Sequence, residues 1–482
     1  MGVVAALLFA LSLAIVAPAQ AHEPYAAKAW GGNGFGQLGA GTIEGPEHCS
    51  GGNEVNEPCS TTPVAVSQLS GVTAVAGGEH HSLALLEGGA VEAWGSGFGG
   101  VLGDGSESNS DVPVAVCEVE YSGPTPCPAG HRLGGVTAIS GGGNLSLALL
   151  SNGTVVAWGE ISFGALGNGK TEKSDVPVTV CEVGYSGTVP CSSEHYLKEV
   201  TAIAAGSSND AYALLANGKV VAWGQAEPGA LGDGTKTGTA KVPVQVSNLS
   251  NVTAIAAGSA EGLALSGGKV MDWGENKYGG LGDGTSGSET DSAVPVEVKG
   301  LPEEVTAIAA GNDFALARLK GGTLASWGDN SVGELGNGES FGPEICGGTT
   351  ETKFPCSTKA VAVKGLSAVD AVAAVDTHSL ALSGGVVMAW GASGTGQLGD
   401  GTSTGPEVCD EFGNTCSTKP VQVSNLADVK GIGAGRYHSL AFGPPPTVTA
   451  VRLAGKKHGR AHGPAGGGTT VTITGVDFTE VS

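Results

Sequence analysis

The chain is short of charge, of basic residues and of aromatics, and it carries no helical pattern. Only 14% of its 482 residues are charged and 5% are aromatic. Its 23 Lys and Arg are outnumbered by 46 Asp and Glu, giving a net charge of −23. A surface this acidic repels phosphate backbones, so nucleic acid is not an expected partner. The plainest role of the acidity is solubility. No window repeats apolar residues at i, i+3, i+4 and i+7 over the length of a helix, which points to an all-β chain. Beyond the N-terminal stretch no apolar run reaches membrane-spanning length. Catalytic motifs are missing too: there is no Gly-x-Ser-x-Gly, no His-Glu-x-x-His, and no grouping of nucleophile, base and orienting acid. No catalytic residue, cofactor or metal is therefore assigned.

What is abundant is glycine, 84 residues, far above the usual ~7%. The glycines fall at fixed places in a repeat. Trp-Gly pairs begin at Trp30, Trp94, Trp158, Trp223, Trp273, Trp327 and Trp390, which uses all seven tryptophans. Six residues after each Trp is a Gly, and eight after it a Leu-Gly pair begins, at Leu38, Leu102, Leu166, Leu231, Leu281, Leu335 and Leu398. A period of this size means a solenoid, a propeller or an array.

One unit shows the local logic. Residues 200–206 and 211–215 read as short strands, Asn217-Gly218 as a tight hairpin turn, and 220–224 as a third strand. The Leu231-Gly-Asp-Gly234 turn then leads to an outer strand at 243–246, which begins with Pro243 as an edge strand can. Four short antiparallel strands describe a propeller blade, and the Trp supplies apolar area to bury against the next one.

The pattern Trp-Gly-x5-Gly-x-Leu-Gly, then Pro-Val, then Val-x-x-Ile-Ala-Ala-Gly, then His-Ser-Leu-Ala-Leu resembles the repeat of the regulator of chromosome condensation (RCC1) family. The resemblance covers about residues 26–442 and implies a seven-bladed β-propeller. The His-Ser pair survives as His81-Ser82, His378-Ser379 and His438-Ser439; elsewhere the place holds Leu145-Ser146, Asn209-Asp210, Glu261-Gly262 and Phe314-Ala315. A position shared by three histidines implies a shared structural task, an internal hydrogen bond beside the inner strand. The chain starts on a Trp-Gly strand (27–31) and ends its repeats on Ser439-Leu-Ala-Phe442, so one blade is expected to take strands from both chain ends and leave no free edge.

Outside the repeats, residues 3–16 are apolar and uncharged and precede Ala19-Gln20-Ala21, the form of a secretory signal and its cleavage site. Residues 1–21 are thus an expected leader, 22–442 the propeller, and the product secreted or held at the cell surface. The ten cysteines form five near neighbours, Cys49/Cys59, Cys117/Cys127, Cys181/Cys191, Cys346/Cys356 and Cys409/Cys416. An even count in an exported chain suggests disulfides, and the spacing does not suit zinc. Neighbours are the expected partners, although spacing alone does not fix the connectivity. Residues 443–482 hold a linker and strands that resemble the opening of an IPT/TIG immunoglobulin-like domain. They are fewer than the ~100 residues such a sandwich needs, so an incomplete, poorly ordered segment is expected.

Three weaker signals have plain readings. Gly95, Gly97 and Gly100 spell G-x-G-x-x-G, but in an all-β unit rather than before a helix. The Asp-Gly and Asn-Gly pairs at Asp104, Asn168, Asp233, Asp283, Asn337 and Asp400 suit Asx turns better than calcium loops. His80, doubled beside His81, is a minor candidate for ligand contact. The leading expectation is a monomeric, secreted, non-enzymatic scaffold that binds a protein or a cell-surface polymer. The disulfide loops and their aromatics, Tyr121, Tyr185, Phe341, Phe354 and Phe412, are the candidate contacts. The alternatives are a polysaccharide-acting enzyme with paired acids at the ring's mouth, and a spacer in a larger adhesin. The RCC1 resemblance also brings guanine-nucleotide exchange and, among secreted bacterial members, β-lactamase inhibition. No residue here can be assigned to either, and exchange would need a GTPase that an exported chain does not meet.

Overall fold

A computed structural model describes residues 24–445, apart from 50–55, 160–161, 303, 348–352 and 410–412, and beyond them 448–453 and 471–475. The expected leader and Phe412 lie outside the described residues. Seven antiparallel sheets of four or five strands form a β-propeller. Each blade is named here by its tryptophan. In the Trp223 blade the strands are Val200–Ala205, Asp210–Leu215, Val220–Gln225 and Thr239–Gln245, paired in that order from the centre outward. The inner strands touch their neighbours in an unbroken ring.

The Trp30 blade closes the ring. Its inner strands, Gly431–Ala434 and His438–Gly443, come from the end of the repeats, and Ala26–Gly32 and Glu57–Ala65 from the beginning. Ala26–Gly32 pairs with His438–Gly443 from Ala26↔Gly443 to Gly31↔His438. Closure by both chain ends follows the sequence expectation. Val448–Leu453 and Val471–Gly475 pair as a two-stranded ribbon, and the immunoglobulin-like reading of this tail rests on sequence resemblance alone.

The repeat letters have one explanation. All seven indoles are fully buried. Six of them donate Nε1–H across a seam to the carbonyl seven residues beyond the preceding blade's Trp, as in Trp94 to Gln37 at 2.9 Å and Trp158 to Val101 at 2.8 Å. The Gly of each Leu-Gly pair lies under that same indole. A Cβ on Gly39 would stand 2.8 Å from Trp94 Nε1, and the other six positions are equally tight, all with positive φ. The third and outer strands slip register at the Trp in every blade, as between Ala222↔Val244 and Gly224↔Ala240. This corrects the expected outer strand: it begins at Thr239 rather than Pro243, and Pro243 sits within the irregular stretch, where its missing N–H costs no ladder bond.

All five expected cysteine pairs are disulfides: Cys49–Cys59, Cys117–Cys127, Cys181–Cys191, Cys346–Cys356 and Cys409–Cys416, with Cα–Cα distances of 5.6 to 6.0 Å. Removing a buried donor while keeping its acceptor in place costs about 1–3 kcal/mol. Trp223→Phe, which leaves the buried Ala165 carbonyl without its donor, should lower unfolding stability in urea by about that amount. Gly103→Ala should cost at least as much, because its Cβ would meet Trp158 at 2.7 Å at a φ of +69°.

Candidate functional site at the Trp-Gly end of the ring

The loops that precede each second strand and those that follow each Trp-Gly pair share one end of the propeller. There the inner-strand ends surround a glycine- and serine-rich mouth of about 180 Å³, lined among others by Gly78, Gly142, Ser207, Ser259 and Asn312. Backbone bonds stitch neighbouring blades around it, such as Ser207 N to Gly258 O at 3.0 Å and Asn312 N to Asp376 O at 2.8 Å. Arg436 of the closing blade reaches both neighbours. It pairs with Glu79 through Nη1 and with Asp376 Oδ1 through Nε at 3.3 Å. His80 lies between Phe35 and Tyr437, at ring distances of 4.5 and 5.1 Å. Burial lowers its pKa, partly opposed by Glu79. Phe35 and Phe98, from the loops after Trp30 and Trp94, are 38% and 58% exposed and flank a groove with His80, Asn109 and Asn144.

Beneath this surface the three repeat histidines do share a task, and it crosses seams. His438 Nε2 meets Ser82 Oγ at 2.8 Å, His81 meets Ser146 at 3.1 Å and His378 meets Ser439 at 2.9 Å, each in the following blade. Each Ser hydroxyl donates to the carbonyl that also receives the indole: Gln37, Val101 and Gln397. Its only proton is thus engaged, so the imidazole donates from Nε2–H. Burial holds these rings neutral, with pKa values pushed down to about 3 for His81 and His438 and about 4 for His378. Ser379 follows a blade whose equivalent residue is Phe314, and its hydroxyl has no partner.

The fourth copy needs a correction. Asp210 pairs with Gly224 as His81 pairs with Gly95, so Asp210-Ala211 holds the His-Ser place, not Asn209-Asp210. Two of the seven places are therefore acidic, Asp210 and Glu261. Both are fully buried, with Asp272 beside Glu261. Desolvation raises the pKa of all three, to about 7 for Asp210. Tyr212 donates to Asp210 Oδ2 at 2.7 Å. The sequence reading missed this group, although the departure from His-Ser at 261 marked the place.

The disulfide loops do not form one face. Cys59, Cys356 and Cys416 pair with Gly32, Asp329 and Ala392 at the Trp-Gly end. Cys117 and Cys181 follow the outer strand at its other end and bridge to Arg132 and Tyr196. This corrects the expectation for the loops that close at Cys127 and Cys191, which stand apart from the mouth and do not join the other three. Cys127 and Cys191 are themselves buried, and Cys127 packs with Val176 of the next blade. Both bridges therefore staple a loop onto the outer strands rather than present it at the Trp-Gly end. Tyr121 and Tyr185 are half-buried over His131 and His195, Phe354 packs on Tyr278, and Phe341 is 72% exposed. The six Asp/Asn-Gly positions are Asx turns, as in Thr235 N to Asp233 Oδ1 at 2.9 Å. Gly95 ends a strand and Gly97 precedes a single 3-10 turn, Phe98–Gly100, so no dinucleotide loop forms. The only three metal-ligating side chains that converge among the described residues are Glu407, Cys409 and Cys416, the last two being disulfide partners.

Residues 120–441 match the RCC1-like domain and residues 29–85 the regulator of chromosome condensation (RCC1) repeat. The chain belongs to the RCC1-like family. It is 28% identical over 430 residues to the human E3 ubiquitin-protein ligase HERC2, covering 88% of this chain but only 8% of that protein. The Arabidopsis thaliana ultraviolet-B receptor UVR8 is 26% identical, over 77% of this chain and 74% of the receptor. The Bos taurus secretion-regulating guanine nucleotide exchange factor is 26% identical, over 88% and 84%. Prp20p of Saccharomyces cerevisiae, described with its binding to Gsp1p and histones, shares the fold at a TM-score of 0.65 and 22% identity, over 87% of this chain and 92% of that one. No helix among the described residues is long and apolar enough to cross a membrane.

The depressed histidines set an acid limit. They stay neutral in the fold while an unfolded histidine protonates near 6.5. Their stabilisation is present above about pH 6.5 and is lost as pH falls towards 3–4. His81→Asn should lower the melting temperature at neutral pH and flatten its decline between about pH 6 and pH 4.

Proposed function

We propose that this RCC1-like propeller is an exported, non-enzymatic scaffold that binds a protein through the Trp-Gly end of the ring. The observation that carries the reading is the groove between Phe35 and Phe98. Two exposed aromatics on loops of adjacent blades stand beside a rigid mouth, the kind of anchor on which protein contacts concentrate their energy. Protein binding is also named for the yeast relative Prp20p, for which Gsp1p, histones and Kap60 are partners. Export is inferred from residues 1–21 and agrees with five disulfides. An exported chain meets neither a ubiquitin cascade nor a cytosolic GTPase, so ligase or exchange activity is not carried over from the relatives.

A polysaccharide-cleaving enzyme would need two accessible carboxyls about 5–9.5 Å apart. Glu79 and Asp376 at the mouth share Arg436, and Glu261 and Asp272 are buried. Neither of these two pairs offers a free, accessible couple of carboxyls.

Expression in a secreting host should yield a chain beginning near His22 with no free thiol; an intact leader on a cytosolic, reduced product would overturn export. The oxidised propeller and its Phe35→Ser/Phe98→Ser variant should then be compared as bait against culture supernatant and envelope fractions. A partner retained by the parent and lost by the variant is the expected result, whereas equal capture would remove this groove from the reading.

A further inference from the structure

Six of the seven seams use a backbone carbonyl as acceptor for the indole; the seam between the Trp273 and Trp327 blades does not. Here Trp327 Nε1 points to a side chain, Asp272 Oδ2, at 3.4 Å. Asp272 stands diagonally across from Glu261 on adjacent strands, since Glu261 pairs with Gly274 and Leu263 with Asp272. Both carboxyls are fully buried. As carboxylates, Glu261 Oε1 and Oε2 and Asp272 Oδ1 have no donor, and an unpaired buried charge is costly. A single proton between them removes one charge and makes a hydrogen bond. The seam also lacks the His-Ser clasp, because Glu261 holds the His place and Ala315 the Ser place of the next blade.

We propose that this seam is a proton-held joint, closed while Glu261 and Asp272 share a proton and loosened when both ionise. Both carboxyls belong to the Trp273 blade and Trp327 donates to Asp272 across the seam, so a second charge, on Glu261, acts on the joint by repelling Asp272 within the blade and Asp313 of the next one. The surroundings reinforce it. Asp210 and Tyr212 face the pair from the preceding blade, Glu275 from the loop after Trp273 and Asp283 from the following turn. Asp313 of the next blade faces Glu261, with Lys277 acting on Asp313. The acids among these groups disfavour the second negative charge, whereas the Trp327 indole and the Trp273 backbone N–H favour the one that Asp272 carries. Loosening this joint would free the 275–291 loops at the same end of the ring as the binding groove, making the device a pH control on that end.

The sign is opposite to that of the histidines. Burial and the paired acid hold both carboxyls above their ordinary range, while unfolded carboxyls ionise near 4. Stability from the shared proton is complete below about pH 4 and falls as pH rises. Above about pH 7 the histidines no longer change, but Asp313 and Glu334 are also held well above the ordinary carboxylate range, so the joint is read as the difference between the parent and a variant that lacks the pair.

Melting temperatures of the oxidised full chain and of Glu261→Gln should be measured from about pH 7 to about pH 9.5. The Gln amide donates to Asp272 at any pH. The parent should lose several degrees over this range, and the variant less than half as much. Amide exchange, corrected for intrinsic rate, should show protection lost first in 261–274 and 314–329, and later in 81–95 at a clasped seam. If the variant does not fold, the parent's exchange pattern decides alone. Equal slopes, or protection lost evenly around the ring, would overturn the proposal. So would millimolar calcium raising the parent's melting temperature and removing its slope, because the pair would then be held by a cation.

Discussion

The structure depends on an indole that its own blade cannot hide. A tryptophan buries roughly 150–250 Å², which at ~25 cal/mol per Å² is at most about 4–6 kcal/mol for each blade. Part of that shelter is supplied by the neighbouring blade, and so is the acceptor for the N–H. A row of such blades always ends with one unsheltered face. Closing the ring removes the end, and building the Trp30 blade from both chain termini makes closure a matter of strand pairing as well as packing. The glycine under each indole belongs to the same constraint, because any side chain there would displace the ring it supports.

The ring is regular in shape but not in how it is held. The three His-Ser clasps join four consecutive blades, Trp390, Trp30, Trp94 and Trp158, so they bracket the place where the chain ends meet. Arg436 adds ion pairs on both sides of that same blade. On the far side the equivalent places hold Leu145, Asp210, Glu261 and Phe314, and the buried carboxyls Asp210, Glu261 and Asp272 stand there beside the indole bonds. Neutral imidazoles fail as protons are added and carboxyl pairs fail as they are removed. If the Glu261–Asp272 pair acts as proposed, the two halves of the ring respond in opposite directions to pH.

Blade number, strand order and closure are legible in the sequence because seven phased copies repeat the same letters, and each letter answers to a contact. Trp, the glycines and Leu recur because every seam needs them. The shared task of His81, His378 and His438 is legible for the same reason, whereas its direction is not: a repeat shows that a position matters without showing which blade it touches. Pro243 reads as the start of an outer strand because a proline cannot donate, yet the irregular pairing opposite Trp223 accommodates it inside one. The disulfide loops read as one face because their spacing is alike. A ten-residue loop can nonetheless precede an outer strand, as at Cys49, or follow it, as at Cys117–Cys127 and Cys181–Cys191. Burial of Glu261 and Asp272 is hidden as long as acidity is a property of the chain as a whole, since net charge carries no depth.

Repetition explains the scaffold and, by the same logic, says little about what the scaffold does. A residue present in every blade is there for the ring. What can distinguish this propeller from another lies where the copies disagree: Phe98 one place earlier than Phe35 in its loop, Arg436 where other blades carry Gly143 or Ser259, Asp272 where five of the others carry Ala. These departures lie towards one end of the ring. Each also costs something the consensus would not, an exposed aromatic, a partly buried guanidinium, an ionisable group in the core. Arg436 offsets its cost by pairing with both neighbours of the closing blade, whereas Phe98 and Asp272 do not serve closure, and on the proposed reading they are the places where binding and its control leave a physical trace.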